Sequence, residues 1–151
     1  MTFLSKFLWT FSFILLLAGF VACRSGPRVV IATKSSEEFA VQVEIADTPE
    51  KRKLGLQYRR NLSDDQGMLF LFPTEEVQSF WMINTPIPLD MIFIGSNRSV
   101  VGIIHGAVPF SKVLRSVSTP SQFVLEVRGG LSRSKGIKAG DLVRFEGISI
   151  K

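Results

Sequence analysis

Past residue 38, the apolar residues of this chain come in short bursts, each cut off within a strand's length by glycine, proline or a polar cluster. That punctuation constrains the fold more than any other feature, because a helical domain needs longer runs with a 3.6-residue period. "FAVQVEI" alternates, with Phe39, Val41, Val43 and Ile45 on one face. "MLFLF" at residues 68–72 is apolar on both faces, as a central strand is, and Pro73 is expected to stop it. Leu89–Ile94, the turn "GSNR" and Ser99–His105 read as a hairpin, and Phe123–Arg128 and Leu142–Ile150 as later strands. Only "DTPEKRKLGLQYRR" reads as a helix, with Thr48 as N-cap and Pro49 at the first position. Gly55 weakens its middle, which limits it to two or three turns. The expected fold is mainly β, a small antiparallel β-sandwich or barrel with one short helix.

The N-terminus follows a different logic. "MTFLSKFLWTFSFILLLAGFVAC" carries Lys6 and then an uncharged, mostly apolar run from Phe7 to Ala22, shorter than a spanning helix and the length of a signal-peptide core. It ends at "GFVAC", which resembles a bacterial lipoprotein box, with Phe20 where leucine is more usual. Cys23 is the only cysteine in the chain, so an exported form has no disulfide partner for it. The reading is a signal peptide over residues 1–22, a lipidated Cys23 with a tether to residue 38 that holds a short strand at Val29–Ala32, and one β-rich domain over residues 39–151. Two or three acyl chains, at about 0.8 kcal/mol per buried methylene, give lasting attachment to a bilayer. The alternative is a plain signal peptide or an uncleaved anchor. The expected location is the cell envelope, facing the periplasm or the exterior.

The full chain has a formal net charge of +5. Removing residues 1–22 takes away Lys6 and leaves 5 − 1 = +4. Lys51, Arg52, Lys53, Arg59 and Arg60 form one basic cluster, and Arg128, Arg133, Lys135 and Lys138 another. Both read as solvated faces, with contact to anionic lipid or cell-wall polymer as the alternative. Nucleic acid is not an expected partner of an exported domain, and nothing in the sequence specifies an oligomeric state. No nucleotide fingerprint or serine-nucleophile elbow is present, and one histidine with one cysteine supplies no metal site. "LSDDQG" lacks the spacing of a calcium loop. His105 reads as a strand-end side chain making a local hydrogen bond. No cofactor is expected.

Two carboxylates sit oddly. Asp90 lies within "PLDMIFI" and shares a strand face with Ile92 and Ile94; Glu126 lies between Leu125 and Val127. An acid in such company needs hydrogen bonds or a charged partner. A pair of carboxylates across an open cleft would suit glycoside hydrolysis, so a hydrolase using Asp90 and Glu126 is one functional reading.

"GLQYRRNL", "GMLFLF", "FWMINTPIPLDMIFI", "FVLEVRGG" and "GIKAGD" occur in that order between about Phe39 and Phe145. Together they resemble the family called domain of unknown function 192. The family's Gly-Leu and following Arg fall on Gly55, Leu56 and Arg59 or Arg60, its Gly-Met-Leu-Phe on Gly67 to Phe70, and its Trp-Met-basic-Asn-Thr on Trp81 to Thr85, followed by Pro88-Leu89-Asp90. The departure is Ile83, where the family usually carries Lys or Arg, so no anion contact can rest on that side chain here. The resemblance implies a small jelly-roll-like β-sandwich, often secreted or lipid-anchored, with no established activity. It also implies that Arg59 or Arg60, Asn84, Thr85 and Asp90 form one cluster, with the arginine paired to Asp90 beneath the Asn84–Thr85 loop. Such a cluster would pin the Pro-x-Pro loop, or would bind a ligand with Trp81 as platform and Asn84, Thr85 and the arginine as polar contacts. The leading expectation is non-catalytic binding of a glycan or peptidoglycan fragment. A third reading, an accessory protein that binds another envelope protein, calls for a large exposed apolar patch.

Overall fold

The computed structural model describes residues 26–34 and 37–150; the expected signal segment and Cys23 lie outside them. The described chain is mainly β, as expected. Strands β1 (Arg28–Ala32), β2 (Glu38–Ala46), β3 (Gln66–Glu76), β4 (Leu89–Ile94), β5 (Val100–Ala107), β6 (Ser121–Arg128) and β7 (Leu142–Glu146) form one sheet in the order β5-β4-β6-β3-β2-β1-β7. Five of the neighbouring pairs are antiparallel. β2 and β3 run parallel, with Ala46 opposite Phe70. A parallel pair needs a crossover, and helix α1 (Pro49–Leu54) lies in it. Thr48 caps α1 by accepting from Lys51 N at 3.3 Å. The helix is shorter than its sequence suggests because Gly55, at φ 51°, closes it by donating its N–H to Lys51 O at 2.8 Å.

The sheet curls until its edges touch. Ser99, just before β5, bridges Leu142 at the start of β7, and Val143 N donates to Arg98 O at 2.8 Å. The curl separates two cores. On the concave side, Val29, Ile31, Val41, Leu69, Ile92, Leu125 and Val143 converge from strands at opposite ends of the sheet. On the convex side, Met68, Phe70, Met91, Phe93 and Val124 are covered by Leu56, Leu62 and Met82 from the connecting segments. β4 is therefore buried on both faces, which explains its unbroken apolar run.

Three local features differ from the sequence-based expectations. The short strand expected inside a tether is β1, which pairs with both β2 and β7, so the sheet begins at Arg28 rather than near Phe39. β3 continues through Pro73, because its pairing with β6 is irregular between Leu71 and Glu76 and the missing N–H breaks no regular ladder there. The loop after β6 contains a second short helix, α2 (Leu131–Ser134).

Candidate functional site

Strand parity separates the two odd carboxylates. On β4 and β6, Asp90 pairs with Val127, on the concave face, whereas Glu126 pairs with Met91 and with Met68 of β3, on the convex face. The sheet stands between them, so they cannot flank one glycosidic bond, and the paired-carboxylate hydrolase reading loses its geometry.

Asp90 is fully buried and held by four donors. Oδ1 accepts from Gly106 N at 2.7 Å and Gly130 N at 3.0 Å; Oδ2 accepts from Ser132 N at 2.9 Å and Ser132 Oγ at 2.6 Å. The pairing of β4 with β5 slips between Leu89 and Met91, which puts both His105 and Gly106 across from Asp90. Gly106 (φ 59°) and Gly130 (φ 87°) occupy the left-handed region, where a side chain is costly. Burial alone would raise the Asp90 pKa; the bonds from the Ser132 hydroxyl and from the Gly130, Gly106 and Ser132 backbones outweigh it and leave the pKa below the usual aspartate value.

The implied pairing of Arg59 or Arg60 with Asp90 is therefore corrected. Arg59 Nη2 bonds Glu44 Oε1 at 2.6 Å at the surface, and Arg60 is exposed. Glu44 stands opposite Met68 on the convex side, so Arg59 is across the sheet from Asp90, whose partners are glycine N–H groups and a serine. His105 does not make a local bond either: its Nδ1 lies 2.8 Å from Ser132 Oγ, 27 residues away. Since the Ser132 hydroxyl is donated to Asp90, His105 Nδ1 is the donor. Asp, Ser and His thus meet, but Ser132 sits between the other two and its proton points at the carboxylate. That wiring immobilises the hydroxyl instead of activating it.

The convex side carries a cleft of about 290 Å³, bounded by α1 with the Gly55–Gln57 turn on one side and the Ser79–Thr85 segment on the other. Phe80, Trp81, Ile83 and Thr85 line it, with Phe70, Phe72 and Glu126 from the sheet and Leu114 from the β5–β6 connection. The Ser79–Thr85 segment is strapped in place: Phe80 and Arg115 exchange backbone bonds at 2.9 and 2.8 Å, and Met82 N donates to Ser111 O at 2.9 Å. Phe80 meets Phe70, Phe72 and Phe93 edge to face at 5.0, 6.2 and 6.0 Å and acts as the core aromatic of the pair. Its neighbour Trp81 remains 46% exposed at the rim. Arg52, also lining the cleft, donates to Asp47 O and Leu71 O at 2.9 and 2.8 Å and lies 5.3 Å from the Phe72 ring centre.

Asn84 flanks the cleft. It adopts φ 54°, which asparagine tolerates better than most residues, and its Nδ2 donates to Gln57 Oε1 at 3.1 Å and Tyr58 Oη at 3.0 Å. Thr85 is buried, donates its hydroxyl to Ile83 O at 3.3 Å, and accepts from Phe110 N at 3.1 Å. Glu126, 4% exposed, stands between Met68 and Met91 on the neighbouring strands, and burial pushes its pKa up to about 8. No hydrogen bond from the described residues reaches its carboxyl to offset this.

The candidate residues therefore divide. Of the expected cluster, Thr85 lies at the cleft with the platform Trp81, and Asn84 stands beside it; Glu126, the other odd carboxylate, joins them, whereas Arg59, Arg60 and Asp90 do not. Sequence reasoning missed Ser132, Gly106 and Gly130 as the holders of Asp90, and Arg52, Phe70 and Phe72 as parts of the cleft. The Gly-Gly-Leu-Ser run after β6 carried a signal for part of the first group, since paired glycines mark a backbone free to turn its N–H groups toward an anion.

No curated protein matches the chain. Two solved structures resemble it closely. A protein of unknown function from Novosphingobium aromaticivorans is 38% identical, with a TM-score of 0.75 and coverage of 78% of this chain and 83% of that one. A protein from Sinorhizobium meliloti, provisionally described as a transcription regulator, is 37% identical, with a TM-score of 0.78 and coverage of 81% and 95%. The profile of the DUF192 family, described as "Uncharacterized ACR", matches residues 30–145. Sequence match and fold agree, and the chain belongs to the DUF192 family.

Proposed function

We propose that this chain is a cell-envelope lipoprotein, anchored through acyl chains on Cys23, whose domain binds a glycan or peptidoglycan fragment in the cleft between α1 and Trp81. The observation that carries the binding reading is Trp81: the neighbour of Phe80, whose ring packs edge to face on three other phenylalanines, stays half exposed at the rim of a cleft with an aromatic wall and one acid at its floor. Sugar rings present C–H faces that pack on an indole, and the acid supplies a directional contact. The anchor is supported by the signal-like run ending at Cys23.

The test is a titration of the full chain, in a polyoxyethylene detergent, with N-acetylglucosamine oligomers and muropeptides while tryptophan fluorescence is followed; Trp81→Phe assigns the signal. A saturable shift that disappears in Ile83→Arg, which puts a long side chain into the cleft, is the expected result. A flat response across the panel refutes the binding reading. Cys23→Ser moving the protein from the membrane to the soluble fraction checks the anchor.

A second reading, an accessory protein docking on another envelope protein, is favoured by one observation. Leu54, Val108, Phe110, Val113 and Leu114 are all more than half exposed, and Leu54 and Leu114 line the same cleft as Trp81. Cross-linking from this rim distinguishes it from glycan binding.

A further inference from the structure

We propose that Glu126 is the polar anchor of the cleft and that it selects an uncharged hydrogen-bond acceptor, the carbonyl oxygen of an amide or acetamido group, over a cationic amine. This rests on the cleft being a binding site and names what it takes.

Glu126 sits on the middle of the sheet, flanked across β3 and β4 by Met68 and Met91, and lines the cleft floor with Phe70. A carboxyl in such surroundings keeps its proton, because the ionised form would lose its hydration with nothing in return. The shift of its pKa to about 8, caused by burial alone, agrees with that. A protonated carboxyl is a donor, and its one proton has no acceptor among the described residues. A ligand oxygen reaching the floor would complete it. Elsewhere, the charged residues lining the cleft are Arg52 and Lys53 of α1; β3 and β4 face Glu126 with apolar side chains, and beyond Met68 on the same face stands Glu44, paired with Arg59 at the surface. Ser79–Thr85 brings no titratable group, and Leu114 is flanked by exposed Lys112 and by Arg115, whose guanidinium donates to Val113 O. Arg52 is already engaged by two carbonyls. The charges at the entrance are therefore positive, which opposes an incoming cation. Burial, and not these charges, keeps Glu126 protonated.

The experiment compares triacetylchitotriose with its deacetylated counterpart, the glucosamine trimer, on the full chain by calorimetry at about pH 6, and then follows the acetylated probe to about pH 9.5. The expected result is binding of the acetylated probe only, with affinity falling about tenfold per pH unit once Glu126 ionises. Glu126→Gln keeps a donor and should bind with no such fall, while Glu126→Leu should lose tenfold or more. Stronger binding of the amine, affinity that rises with pH, or loss of binding in Glu126→Gln would each overturn the proposal by making the carboxylate the working form. Acetylated probe binding equally to wild type and Glu126→Leu would overturn it while leaving the cleft reading intact. No binding of either probe, to wild type or variants, would remove the anchor together with the glycan reading.

Discussion

Replacing Asp90 by asparagine tests the central claim about the concave face, that a buried carboxylate is held by four donors and no cation. The substitution keeps shape and removes one acceptor. If the amide nitrogen faces Gly106 and Gly130, two buried N–H groups lose their partner at once. If it faces Ser132, the hydroxyl can turn to accept, and only the Ser132 N–H is left unpaired. The second orientation is cheaper and costs about 1–3 kcal/mol for that N–H. The two bonds that survive change from charge-assisted to neutral, at about 1 kcal/mol each. Relief of the buried charge works the other way, but the depressed pKa of Asp90 says that the hydrogen bonds outweigh burial. The expected loss is about 3–5 kcal/mol, which at a slope of about 2 kcal/mol per molar lowers the urea midpoint by roughly 1.5–2.5 M. The assay is equilibrium urea unfolding at pH 7, followed by circular dichroism. Because the folded pKa lies below the unfolded one, the stabilisation is present at neutral pH and is lost as pH falls below about 4 through the folded value. Wild type should therefore approach the variant in acid. A loss under about 1 kcal/mol at pH 7 would refute the four-donor account.

Other outcomes follow from the same geometry. With the Glu126 pKa raised to about 8, wild-type stability should decline between pH 4.5 and 8, by up to about 1.4 kcal/mol per unit, and Glu126→Gln should abolish that slope in pH-dependent urea titrations. Arg59→Ala should cost under about 1 kcal/mol, since its partner Glu44 is solvent-exposed; a loss comparable to Asp90→Asn would show that the two residues are coupled after all. Gly130→Ala should cost about 1–2 kcal/mol from its left-handed backbone alone, because no atom stands where the new methyl would go; thermal unfolding reads this directly. Trp81→Ala should leave the unfolding free energy, read by urea titration, within about 0.5–1 kcal/mol of wild type while weakening any ligand of the cleft.

The strands were legible because their periodicity reflects burial directly. Leu89–Ile94 was read to the residue, since a run apolar on both faces has no other home in a small β domain. Thr48 and Pro49 marked the start of α1 for the equally local reason that caps are chemical signals. The parallel pairing of β2 with β3 was not legible, because nothing in either strand states which neighbour it takes. The site showed the same divide. Glu126 stood out as an acid among apolar residues and Trp81 as the aromatic platform of the family motif, and the cleft contains both. The supposed partner of Asp90 was misjudged because a sequence displays arginines and hides backbone N–H groups. A carboxylate among apolar residues suggests a cation by default, while the donors came from glycines whose value lies only in their dihedral angles.

The place of β1 has a consequence for how the chain is made. Its five residues lie between β2, which follows at once, and β7, which is separated from it by more than a hundred residues. The pair β1–β2 can form early as a local hairpin, but its outer edge must then wait, with its N–H and C=O groups unpaired, for the last strand to be synthesised. Such long-range closure slows folding and leaves an adhesive edge open meanwhile. A chain cut short before residue 142 would expose that edge permanently, so incomplete products of this protein should aggregate through β1 rather than persist as soluble fragments.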